Sequence, residues 1–167
     1  MRRTAAAASM IASLVLCSGS AFAQQKSLKD QLVGIWNLTS WEQTYPDGHK
    51  DQAFGQSPKG LNTFDSNGRF SLIFLNPNVP MVASNDRVRP TSDEAMAIAK
   101  GVIAYYGTYT VDEGTKTIIP TVEGATFPNM VGTDQSRIVT SITADEMRFT
   151  NPKAPAGVLE IVWRRAK

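Results

Sequence analysis

Leu32-Val33-Gly34-Ile35-Trp36-Asn37-Leu38-Thr39-Ser40-Trp41-Glu42 sets a Gly-x-Trp at the head of the first long β-prone run in the chain. Aromatic and β-branched residues favour pleated backbone, and the run reaches Tyr45 before Pro46-Asp47-Gly48 turns it. Two readings are open: the first strand of a closed barrel, or an ordinary strand with one well-packed indole. What lies on either side of the stretch decides between them.

Upstream, Arg2 and Arg3 precede a short apolar run from Ala5 to Leu16, and Ala21-Phe22-Ala23 forms a small-x-small cleavage pattern. The run is too short for a permanent bilayer span, which needs roughly 20 apolar residues. Residues 1–23 read as a secretory leader and residues 24–167 as one domain, periplasmic or secreted. Leu16 before Cys17 is not the small residue a lipidation motif wants. Cys17 is the only cysteine, so the mature domain has no disulfide and no thiol chemistry. Losing Arg2 and Arg3 leaves as many basic as acidic residues, 15 of each. That balance, with no basic stripe, argues against nucleic acid as a partner. No integral membrane segment is expected in the mature chain, and its oligomeric state is open.

Downstream, short strands alternate with turns. Strands are expected at about Gly60 to Phe64, Arg69 to Leu75, Thr108 to Val111, Thr117 to Gly124, Gln135 to Ile142, Glu146 to Thr150 and Val158 to Arg165. Phe70, Leu72 and Phe74 recur at period two, which puts them on one face. Thr91-Ser92-Asp93-Glu94 fits a capping box opening a helix from Ser92 to about Ala104. Eight strands and one inserted helix, without repeats, predict an all-β fold: an eight-stranded antiparallel up-and-down barrel, its closure removing exposed edges. The helix is expected as a lid or plug over one end.

Gly34-x-Trp36, taken with Arg164 or Arg165 in the last strand, resembles the lipocalin signature, in which the tryptophan closes one barrel end and the arginine packs across it. The order of further matches resembles the bacterial and fungal lipocalin-like domains. These are Ser40-Trp41-Glu42, Pro46-Asp47-Gly48, Phe54-Gly55, Ala104-Tyr105-Tyr106-Gly107-Thr108-Tyr109, Val122-Glu123-Gly124 and the run from Phe127 to Arg137. The resemblance implies a calycin-type barrel and a small apolar ligand, with no known reaction. It also implies a tryptophan where this chain has Met130 and a histidine near Thr121, and both are missing here.

The single histidine, His49, sits in a turn, which removes Ser-His-Asp chemistry and leaves no basis for haem or zinc. No cofactor motif appears, and neither metal nor cofactor is expected. The polar candidates are Glu123, Gln135 and Arg137. Pairing the strand that ends near Gly124 with the one that starts near Gln135 sets Glu123 opposite Gln135 and Arg137 opposite Thr121. Inside a barrel this trio would orient a ligand; outside, it is a surface ion pair. Trp41, Phe54, Phe74, Tyr106, Tyr109, Phe127 and Asn129 complete the candidate ligand-binding set. Glu123 and Tyr106 are the acid–base candidates should the protein be a small enzyme, an isomerase, cyclase or hydrolase. A barrel without ligand, serving a structural role in the envelope, is the remaining alternative.

Overall fold

The computed structural model describes residues 26–151, 153 and 157–167; the expected leader and Cys17 lie outside them. In chain order the elements are α1 (Leu28–Leu32), β1 (Gly34–Thr44), β2 (Lys50–Asp51), β3 (Lys59–Phe64), β4 (Arg69–Leu75), α2 (Ser92–Gly101), β5 (Val102–Asp112), β6 (Thr117–Ala125), a 3-10 turn (Pro128–Met130), β7 (Arg137–Ile142), β8 (Glu146–Thr150) and β9 (Val158–Arg165). Neighbours pair antiparallel from β3 to β9, and β1 joins β3 to β9, so eight strands close the expected up-and-down barrel. The ninth, β2, lies outside the ring. It adds Asp51 and Lys50 opposite Gln43 and Thr44, where the Pro46-Asp47-Gly48 turn returns the chain.

Alternation builds the wall. Phe70, Leu72 and Phe74 of β4 point inward and are buried, while Ser71, Ile73 and Leu75 face out. A bulge at Thr39 interrupts β1, and the extra residue shifts which later positions face inward. Gln43 is buried on the inner side beside Leu159, its partner in β9.

One end is sealed by α1 and the Gly-x-Trp. Trp36 is fully buried, and its indole N–H donates to the Leu32 carbonyl at 2.8 Å. Of the two candidate arginines, Arg165 packs across it, 4.0 Å from the ring centroid. Its guanidinium donates to the carbonyls of Ala144, Val33 and Gln31 at 2.6, 2.8 and 2.7 Å. Arg164 is exposed. Glu113, in the β5–β6 turn, accepts from the Leu28 and Lys29 N–H groups and ties α1 down.

Helix placement differs from the expectation. The element that plugs an end is α1, where the sequence carries no expected helix. Ser27 caps it by accepting from the Asp30 N–H, and Leu28 and Leu32 enter the core. Five residues are too few to show a helical period. The capping box at Thr91 and Glu94 forms, but α2 stops at Gly101 and buries no residue apart from that glycine. Gly101 packs tightly, since a Cβ there would sit 2.2 Å from a Val79 methyl. Beyond it Val102, Ile103 and Ala104 pair with β4 as strand residues.

A candidate ligand site inside the barrel

The wall is incomplete between β6 and β7. They pair only at Thr117↔Ile138 and Ile118↔Arg137. Lys116 accepts from the Val139 N–H across this ladder, and backbone polar groups alternate sides along a strand. Residues 118 and 120 therefore also turn theirs toward β7. Position 120 is proline, which has no N–H to donate, and the ladder ends there. The expected Gln135 start of β7 moves to Arg137 for this reason, and the pairings Glu123–Gln135 and Thr121–Arg137 do not form.

Arg137 shares the inner face with Ile118 and is 8% exposed. Its Nη1 donates to the carbonyls of Gln135 and Ser136 at 2.6 and 2.9 Å. Nη2 makes two longer contacts, 3.3 Å to Gln135 Oε1 and 3.5 Å to the Tyr105 hydroxyl. Among the described residues Nε has no partner and no carboxylate lies within ion-pair distance. A crevice of about 20 Å³ adjoins the guanidinium, bounded by Phe64, Phe70, Tyr105, Pro120, Gln135 and Phe149. Burial pushes the Tyr105 phenol above its ordinary value, opposed by the Arg137 charge.

Further polar groups interrupt the apolar interior. Asn62 is 1% exposed and neither its amide nitrogen nor its oxygen has a partner. Gln43 Nε2 and Trp163 Nε1 are likewise buried and unpartnered. A row of aromatic rings that includes Trp163 crosses the same core. Trp41 meets Phe54 edge-on at 5.4 Å, Phe54 stacks on Phe74 at 5.3 Å, Phe74 lies 5.5 Å from Trp163, and Trp163 6.0 Å from Phe149. Among the described residues, Phe54 is the one buried core side chain carried by neither a strand nor a helix; it enters from the loop after β2 at the end opposite α1.

The candidate residues therefore separate. Trp41, Phe54 and Phe74 meet at the far end, and Gln135 and Arg137 meet at the β6–β7 seam. Tyr109 is buried near the sealed end, donating to the Asp65 carbonyl at 2.8 Å. Tyr106, Glu123, Phe127 and Asn129 are exposed. Glu123 is the extra residue of a bulge between Val122 and Gly124, and its carboxylate pairs with Arg69 on the outer surface at 2.8 Å. Tyr106 lies over Gly124, where a Cβ would come within 2.7 Å of the ring. The proposed acid–base pair thus faces away from the barrel interior. Asn62, Gln43, Trp163 and Tyr105 are absent from the expected set. Asn62 was within reach, because Gly60, Asn62 and Phe64 share one face at period two.

A family profile described as a lipocalin-like domain matches residues 33–165. A curated relative from Aspergillus oryzae, named a 4'-hydroxy-3'-methoxypropiophenone carrier protein, is 26% identical over 102 residues, spanning 54% of this chain and 91% of the relative. Among solved structures, a lipocalin-like protein from Bacteroides uniformis is 16% identical, covering 81% of this chain and 99% of that one, with a TM-score of 0.44. A redesigned β-barrel is 13% identical, covering 84% and 96%, with a TM-score of 0.43.

Proposed function

We propose that this chain, which belongs to the lipocalin-like domain family, binds a small and mostly apolar molecule inside its barrel. One observation carries the reading: Asn62, Gln43, Trp163 and Arg137 bury polar atoms without partners within an otherwise aromatic and aliphatic core. Each such group costs about 1–3 kcal/mol, and a barrel built only to be packed would place apolar side chains there. A ligand with a few oxygen atoms on an apolar body recovers those hydrogen bonds. The relative named as a carrier of a hydroxy- and methoxy-substituted phenyl ketone supports the same class of cargo. Phe54 fills the space such a molecule needs, so binding displaces Phe54 on its loop. We also read residues 1–23 as a leader for export, and N-terminal sequencing of secreted protein beginning at Gln24 would test this.

Displacement of the neutral dye N-phenyl-1-naphthylamine, with native mass spectrometry of gently purified protein, tests the reading. Saturable dye binding that small aryl ketones reverse is the expected result. A second reading, a packed barrel serving a structural or partner-binding role, is favoured by the crevice at Arg137 being only about 20 Å³. Absence of any dye uptake, with one protein partner held in fixed ratio, would establish that alternative.

A further inference from the structure

Resting on that reading, the geometry points to Arg137 as the anchor for an anionic oxygen, a carboxylate or phenolate, on the bound molecule. A guanidinium presents its N–H groups on distinct edges. In Arg137 the Nη1 group serves the protein, holding the Gln135 and Ser136 carbonyls of its own turn. The edge made by Nε and Nη2 is the one that grips a carboxylate side-on through two parallel bonds. On that edge Nε is unpartnered, and Nη2 has only its contacts at 3.3 and 3.5 Å.

Bracing the turn would need Nη1 alone, and a neutral amide could supply that. The full cation is instead held 8% exposed among Phe64, Phe70 and Phe149, with no countercharge among the described residues. Burying a charge without its partner is costly, and an incoming anion removes the cost. The crevice matches this role in size. About 10–15 Å³ holds one water-sized group, so about 20 Å³ accepts one anionic oxygen and no ring. The body of the ligand then extends along the aromatic row from Phe149 past Trp163 toward Phe74. The Tyr105 hydroxyl, within reach of Nη2, is placed to donate to the same anion. The seam that ends at Pro120 lies beside the anchor and opens the wall there.

The test compares 3-phenylpropionate with its uncharged isostere 3-phenylpropanamide as competitors of N-phenyl-1-naphthylamine on the full domain. The acid is expected to bind at least about tenfold tighter than the amide. Arg137→Met should bring the acid and the amide to equal affinity, and Tyr105→Phe should narrow the gap between them. Equal affinities for acid and amide in the unaltered protein, which need no variant to fold, would overturn the anchor and leave the binding reading standing. An acid preference that survives in a folded Arg137→Met variant would overturn it too. If the dye itself never enters the barrel, the binding reading fails along with the anchor.

Discussion

At the scale of single residues, the two arginines near the C-terminus differ only in side of strand, and that decides their weight. Arg165 satisfies three carbonyls and covers Trp36, whereas Arg164 is exposed. Arg165→Ala should lower the free energy of unfolding by about 2–4 kcal/mol, since it strands carbonyls and removes a cation–π contact. Arg164→Ala should stay within about 0.5 kcal/mol by urea denaturation. Glu123→Gln should change stability by less than about 1 kcal/mol, as for an exposed ion pair, and leave dye affinity unchanged. Loss of dye binding in that variant would return Glu123 to the site.

Tyr105 links the interior to alkaline pH. Its folded-state pKa is raised above the unfolded value, near 10, because burial disfavours the phenolate. The group therefore contributes stability that is intact below about pH 10 and lost as pH rises through the folded pKa. Urea melts between about pH 9 and 11.5 should show stability falling, with a shallower fall in Tyr105→Phe. Tyr109, also raised, keeps part of the slope in that variant.

Among elements, α2 and the β6–β7 seam are where secondary structure forms with little packing behind it. α2 buries none of its side chains and is held by its capping box and by the Ala83 N–H donating to Glu94. Thr91→Ala should therefore speed hydrogen exchange across α2 by the equivalent of about 1 kcal/mol and leave the global urea midpoint in place. A matching drop in global stability would mean that α2 is part of the core after all. Legibility at this scale follows local chemistry. β4 was readable because Phe70, Leu72 and Phe74 recur at period two, although apolar Ile73 and Leu75 on the outer face blur the alternation, and the α2 start because a capping box is four consecutive residues. The bulges at Thr39 and Glu123 were not readable, since an inserted residue changes parity only relative to the partner strand. Glu123 and Arg137 consequently fall on opposite sides of the wall despite their matched spacing. Pro120 was the exception, a local signal for a broken ladder inside an expected strand.

For the whole molecule, α1 and Trp36 seal one end and Phe54 occupies the other. Phe54→Ala should cost about 3–5 kcal/mol for loss of a buried ring. It should also tighten binding of N-phenyl-1-naphthylamine, because the dye no longer competes with a side chain for the same space. Unchanged dye affinity in Phe54→Ala would place the ligand elsewhere.

By itself the sequence determined the class of architecture. Short β-prone runs at turn-length spacing, an early Gly-x-Trp and a late arginine are local features, and local propensity and alternation suffice to turn them into a barrel. Only the tertiary structure decided what the barrel contains. Which arginine covers Trp36, which of Glu123 and Arg137 faces inward, and that Asn62, Gln43 and Trp163 lie buried without partners all depend on register and bulges across strands distant in the chain. Those relations exist only once the ring has closed, because strand parity is defined against a neighbour.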